Sequence, residues 1–150
     1  MPSLKFGTIE QTVFFKAAPE EIYDILLDPR KHSEFTGSPA KTSAKAGAAF
    51  TAWEGYIFGK NLELVKGKKI VQEWKTTEFP EGYPASRLEL TLTPKKGGTE
   101  LKMVHSNVPA EQVASYTDGW KSSYWDPLKE YIAKKPNVAD AKRKASEKKA

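Results

Sequence analysis

The sequence predicts an α+β fold in which a curved antiparallel sheet wraps around one long C-terminal helix. Two observations carry that prediction. In PAEQVASYTDGWKSSYWDPLKEYI, from Pro109 to Ile132, the large residues fall at Val113, Tyr116, Trp120, Tyr124, Leu128 and Tyr131. Those spacings of 3, 4, 4, 4 and 3 describe one face of a helix about six turns long. Between 49 and 108, short apolar runs alternate with glycine-containing turns in hairpin order. The helix face carries rings rather than aliphatics. Aromatics have only moderate helix propensity, so a partner surface has to pack against them.

The elements follow in order. Thr8 to Phe15 alternates Ile9, Val13 and Phe15 against polar residues and reads as a strand. Pro19 suits a first helical position, with Glu20 and Glu21 complementing the positive helix end. Ile22, Tyr23, Ile25 and Leu26 form the buried face of that helix, and Asp28-Pro29 ends it. Arg30 to Phe35 is a second short helix. Ser38 to Ala48 lacks the bulk for a core strand and reads as a loop. Strands are expected over 49–53, 56–65, 70–76, 86–93 and 99–106. Gly59 marks a bulge or a close backbone approach in the second of these. Leu88, Leu90 and Leu92 point inward, as do Leu101, Met103 and His105 on the next strand. Asn107-Val108-Pro109 ends that strand. Pro127 is expected to kink the last helical turns, and Gly119 costs about 1 kcal/mol against Ala. A close approach to the sheet, or an opening beside Trp120, would justify that cost.

Composition narrows the function. A chain of 150 residues, 39% hydrophobic and 29% charged, fits one globular domain. No stretch approaches the ~20 apolar residues that span a bilayer, and the N-terminus lacks the pattern of a secretory signal. Without cysteine there are no disulfides, thiolate metal sites or Cys nucleophiles, which is compatible with the cytoplasm. The net charge of +5 resides in residues 134–150, with seven Lys/Arg and two acids, whereas residues 1–133 balance at 17 of each sign. The expectation is a neutral domain over 1–133 and a basic, flexible tail over 134–150, with neither a nucleic-acid nor a membrane partner.

Several local signatures coincide along this order. Phe50 is followed by Gly55 and Gly59, then Ile70-Val71-Gln72-Glu73-Trp74, Phe79-Pro80-Glu81-Gly82-Tyr83 and Gly97-Gly98-Thr99-Glu100-Leu101. Asn107-Val108-Pro109, Gly119-Trp120 and Tyr124-Trp125 complete the series. Together they resemble the C-terminal domain of the activator of the Hsp90 ATPase, within the START-like (Bet v 1-like, SRPBCC) helix-grip superfamily. The resemblance covers 8–132. It implies a helix-grip fold and, as a partner, an Hsp90-type chaperone. In the full activator a separate N-terminal domain makes most of the stimulating contact, and this chain starts at the helix-grip domain. Stand-alone members of the superfamily are more often ligand carriers, cyclases or proteins of unassigned role.

The residues themselves announce no enzyme. GxSxG, HExxH, P-loop and GxGxxG motifs are absent, and two histidines make a poor metal set. No catalytic residue, metal ligand or cofactor is therefore assigned. His32 is read as solvated in a polar helix turn, and His105 as a hydrogen-bonded histidine at the rim. Glu73 and Trp74 face opposite sides of one strand. Trp74 inward leaves Glu73 in solvent; the reverse register would make Glu73 a buried carboxylate. Arg87 faces outward, and Trp125 lies off the stripe, exposed or over the sheet edge. Candidate ligand-binding residues are Phe50, Trp53, Tyr56, Trp74, Phe79, Tyr116, Trp120 and Tyr124. Their hydroxyls and indole N–H groups want partners when buried, which suits a cavity with polar handles. The first expectation is a non-enzymatic domain, monomer or weak homodimer, binding a small hydrophobic or amphipathic molecule between sheet and helix. The second is a protein partner of Hsp90, and the third a cyclase or hydrolase in the same cavity.

Overall fold

In the computed structural model, which describes residues 4–134, six antiparallel strands form one sheet in the order β1-β6-β5-β4-β3-β2. The strands are β1 (Phe6–Phe15), β2 (Ala49–Ala52), β3 (Ile57–Val65), β4 (Lys69–Thr76), β5 (Ser86–Lys95) and β6 (Gly98–Pro109). Two helices, α1 (Pro19–Leu27) and α2 (Pro29–Thr36), connect β1 to the meander. Helical backbone then runs from Ala110 to Lys134 across the inner face of the sheet. This is the helix-grip arrangement. The expectation of a flexible tail falls almost wholly on 135–150, outside the described residues.

Local chemistry sets the boundaries. Pro19 opens α1 and Pro29 opens α2, where a missing N–H costs nothing. The Asp28 carboxylate accepts from the Lys31 N–H at 2.9 Å and caps α2, and that bond lowers the Asp28 pKa. Register shifts between Gly7 and Ile9 on β1 and between Asn61 and Glu63 on β3 add local twist to the sheet. Alternation places Ile70, Gln72, Trp74 and Thr76 of β4 inward, all buried, and leaves Glu73 half-buried on the outer face. Arg87 is likewise outside, paired with Glu89 at 3.2 Å. The segment 38–48 is a loop, held by a single bridge between Lys41 and Thr51 and by buried Asn61, whose amide donates to the Ser43 and Lys45 carbonyls.

Two departures from expectation bear on the site. β6 does not stop at Asn107 but continues to Pro109, because β1 begins at Phe6 and pairs Phe6 with Pro109 and Gly7 with Val108. Asn107 passes through it with φ 58, a left-handed conformation that Asn tolerates well. The C-terminal helix is not one six-turn α-helix from Pro109. A 3₁₀ turn (Ala110–Gln112) leads into α3 (Val113–Trp120), a π-helical turn (Lys121–Trp125) and α4 (Asp126–Lys134). The π turn ends two residues before Pro127. That proline supplies no N–H to the Ser123 carbonyl and its ring crowds it, so the helix widens: the Asp126 N–H bonds to the Lys121 carbonyl, five residues back. Pro127 thus produces a wide turn upstream of itself rather than a simple kink.

Gly59 fills the role of close approach. A Cβ there would lie 1.8 Å from the Glu73 carbonyl oxygen and 3.0 Å from Phe50 Cε1. Gly59→Ala is therefore expected to destabilise the domain by about 3 kcal/mol or more. Urea unfolding checks this, and an unchanged midpoint would refute the packing described.

Candidate functional site

Of the rings on the inner face, Trp120 lies at the centre. It is tilted on Trp74 of β4 at 5.7 Å and on Tyr124 at 4.8 Å, and stacks on Trp125 at 5.4 Å with 16° between planes. The last contact depends on the π turn, which brings residues five apart onto one face. Trp125 is consequently buried, not exposed. Its indole N–H donates to Gln11 Oε1 on β1 at 2.6 Å, while Gln11 Nε2 donates to the Thr117 carbonyl.

A chain of hydrogen bonds runs from Trp120 into the sheet. Its indole N–H donates to His105 Nδ1 at 3.1 Å. His105 Nε2 therefore carries the proton and donates to Ser86 Oγ at 2.8 Å. Ser86 donates in turn to the Trp74 carbonyl at 2.5 Å. His105 is 0% exposed, so it is an interior residue and not a rim histidine. Burial without a countercharge pushes its pKa down to about 3. His32 also departs from expectation: it is buried under α2, not solvated. Its Nδ1 donates to the Leu26 carbonyl at 2.9 Å and its Nε2 accepts from the Tyr124 hydroxyl at 3.2 Å. Burial lowers its pKa too, with the Leu26 bond partly opposing. The sequence placed His105 correctly on the inner face. What it could not supply was the partner, because Ser86 and Trp120 come from different elements.

Beside this core lies a cavity of about 520 Å³, between α3 with its π turn and the β2–β3 turn. Six of the eight candidate residues line it: Trp53, Tyr56, Trp74, Tyr116, Trp120 and Tyr124. Phe50 lies behind the ring wall, against a void of only about 30 Å³. Phe79 packs on Trp74 and Tyr116, each at 6.2 Å, and supports the wall. Gly119 borders the cavity, and a Cβ there would meet nothing within 4 Å, so its gap belongs to an opening beside Trp120. Sequence reasoning missed Ser38, Glu54, Ser115 and Ser123, small or charged residues with no periodic signal.

The tyrosines of the cavity are tied into the protein. Tyr116 donates to Gln112 Oε1 at 2.8 Å and is bonded to Thr76 Oγ1 at 2.7 Å; Tyr56 donates to Glu78 Oε2 at 2.6 Å. Burial raises the pKa of both, and of Tyr124. At the mouth the backbone is unusual. Trp53, Glu54 and Gly55 have φ of 53°, 56° and 91°, three successive left-handed residues of which only the glycine adopts that form freely. The Glu54 N–H bond to the Pro39 carbonyl, 3.1 Å, holds this turn. Among the described residues no group of three or more His, Cys, Asp or Glu could hold a metal, and no helix is long and apolar enough to cross a membrane.

Residues 16–133 match the family described as "Activator of Hsp90 ATPase homolog 1-like protein". The human "Activator of 90 kDa heat shock protein ATPase homolog 1" is 32% identical over 130 residues, covering 87% of this chain and 37% of that protein. This chain thus spans about a third of the length of the curated relatives it matches. The crystal structure of an HSP90 activator from Plasmodium falciparum superposes with a TM-score of 0.77 at 25% identity, covering 84% of this chain and 96% of that one. The solution structure of the Aha1 dimer from Colwellia psychrerythraea shares the fold, with a TM-score of 0.72 at 18% identity, over 84% and 96% of the two chains.

The two buried histidines predict a pH dependence. Below pH 6.5 the unfolded chain protonates both, while the folded chain resists, for His105 down to about 3. Their stabilising contribution is complete above pH 6.5 and decreases as pH falls, by about 1.4 kcal/mol per pH unit for each fully shifted histidine. Urea unfolding at pH 7, 6 and 5 should show this decline, and His105→Gln should remove the part of it due to His105 and leave that of His32. Constant stability over that range would contradict the neutral histidines.

Proposed function

The chain belongs to the family of activator of Hsp90 ATPase homolog 1-like proteins, and on that premise we propose that it is a non-enzymatic domain that binds an Hsp90-type chaperone and modulates its ATPase. The observation that carries this reading is the Plasmodium falciparum protein, named an HSP90 activator, 96% of which this chain covers. The curated activators named for the same ATPase support it over the matching third of their length. Glu73 and Arg87 lie outside the cavity and His105 is locked neutral within the core, so none of these three groups is placed to serve a cyclase or hydrolase there.

The test is the steady-state ATPase rate of Hsp90 with increasing amounts of this protein, together with pull-down of the pair. The expected result is a saturable change in rate. No interaction and no effect at about 50 µM would overturn the proposal.

A second reading rests on the cavity itself. At about 520 Å³ it falls within the range of small-molecule sites, and its walls combine apolar ring faces with hydroxyls. We propose that it admits one small amphipathic molecule. N-phenyl-1-naphthylamine, a neutral dye that brightens in apolar surroundings, should bind saturably. Gly119→Phe, which places a ring in the opening, should weaken it about ten-fold or more without lowering the unfolding midpoint. Equal dye binding by wild type and variant would remove the cavity from consideration.

A further inference from the structure

We infer that the cavity selects cationic ligands, namely a protonated or quaternary amine carried on a flat apolar body, and discriminates against carboxylates and other anions. The inference rests on the second reading above, that the cavity admits a small molecule, and adds the charge it takes. Three independent features of the walls point to it.

The first is the ring inventory. Trp53, Tyr56, Trp74, Tyr116, Trp120 and Tyr124 line one cavity of about 520 Å³. Ring faces carry negative quadrupole potential, so each of these rings that turns a face to the cavity attracts an ammonium group while tolerating its methyl substituents. The second is formal charge. Among the described residues, the lining contains one ionisable carboxylate, Glu54, and no Lys, Arg or His. Glu78 adds a second carboxylate beside the cavity through its bond with Tyr56. An anionic headgroup would thus meet like charge and no counterion.

The third is the direction of the hydrogen bonds made by the cavity's tyrosines and Trp120, which leaves the hydroxyls of Ser38, Ser115 and Ser123 as the side-chain O–H donors of the lining. The tyrosine protons are already committed: Tyr56 to Glu78, Tyr116 to Gln112 and Tyr124 to His32. Trp120 likewise donates to His105. These four residues offer a ligand lone pairs and π faces rather than N–H or O–H donors. Freeing a tyrosine proton for an anion would orphan a protein acceptor, buried His32 Nε2 in the case of Tyr124. An N–H donor on the ligand faces no such cost.

The left-handed turn gives the site its charged end. Glu54 has φ 56 between Trp53 and Gly55, and its N–H is fixed to the Pro39 carbonyl. The turn brings an indole and a carboxylate from consecutive residues to one cavity, an arrangement that a regular strand would place on opposite faces.

Calorimetric or NMR titration with three matched probes tests this: 2-naphthylmethylamine, 2-naphthylmethanol and 2-naphthylacetate at pH 7. The amine, protonated at that pH, should bind about ten-fold more tightly than the alcohol, and the acetate more weakly than either. Glu54→Gln should reduce amine affinity several-fold and leave the alcohol unchanged, and Glu54→Lys should reverse the order of amine and acetate. Glu54 is exposed, so neither variant disturbs the core. Binding of the alcohol with no preference for the amine, or with a preference for the acetate, would overturn the charge selection while leaving the cavity reading intact. If none of the three binds, both fail.

Discussion

Trp120 is where the helix is fastened to the sheet, and the neighbouring features make sense from that contact outward. A long helix on a curved sheet can slide or roll if only apolar contacts hold it, since dispersion has little directionality. The indole N–H of Trp120 removes that freedom by bonding to His105, which bonds through Ser86 to the backbone of Trp74. The chain crosses β6, β5 and β4 in succession and sits where no water competes. Each link joins specific buried groups, and displacing a member would leave its neighbours unpaired, so the geometry is specified more sharply than its net energy suggests. Gln11 repeats the device on the other side, holding Trp125 and the Thr117 carbonyl to β1.

The π turn follows from the same requirement. Trp120 and Trp125 can stack only if residues five apart share a face, which an α-helix does not allow and a π turn does. Pro127 fixes where the turn occurs. The rings of the C-terminal segment then separate into two duties. Trp125 faces the closed end against Phe15 and Gln11, whereas Tyr116 faces the cavity with Gly119 beside it. Trp120 and Tyr124 belong to both.

The fold was legible because its signals are periodic. The Leu88-Leu90-Leu92 alternation, the outward Glu73 and Arg87 and the aromatic stripe follow the period of their elements, Pro19 marks a helix start by position, and a single sequence suffices to read them. Six of the eight proposed lining residues reach the cavity because the stripe and the strands point there. What was not legible is aperiodic or relational. Trp125 looked peripheral because α-helical spacing was assumed, and the signal that could have corrected it was Pro127. His32 looked solvated because Arg30, Lys31 and Glu34 surround it in sequence, whereas Leu26 and Tyr124 surround it in space. Glu54 can be read as part of a turn with Gly55 but not as a cavity residue, since that position depends on two non-glycine residues taking up left-handed backbone.

The sharing of Trp120 and Tyr124 has a consequence for whatever occupies the cavity. Both rings line its wall, and both hold a neutral histidine through a single hydrogen bond. The cavity side of the molecule is therefore not a surface separate from the core. A ligand that fits without rotating these rings leaves both histidines satisfied, and one that rotates them exposes an unpaired imidazole nitrogen in an apolar interior. That asymmetry favours molecules that slide between the rings at the Gly119 opening over bulkier ones that must part them. For the ligand proposed above, a flat shape would be favoured by the hydrogen bonds behind the wall as much as by the wall itself.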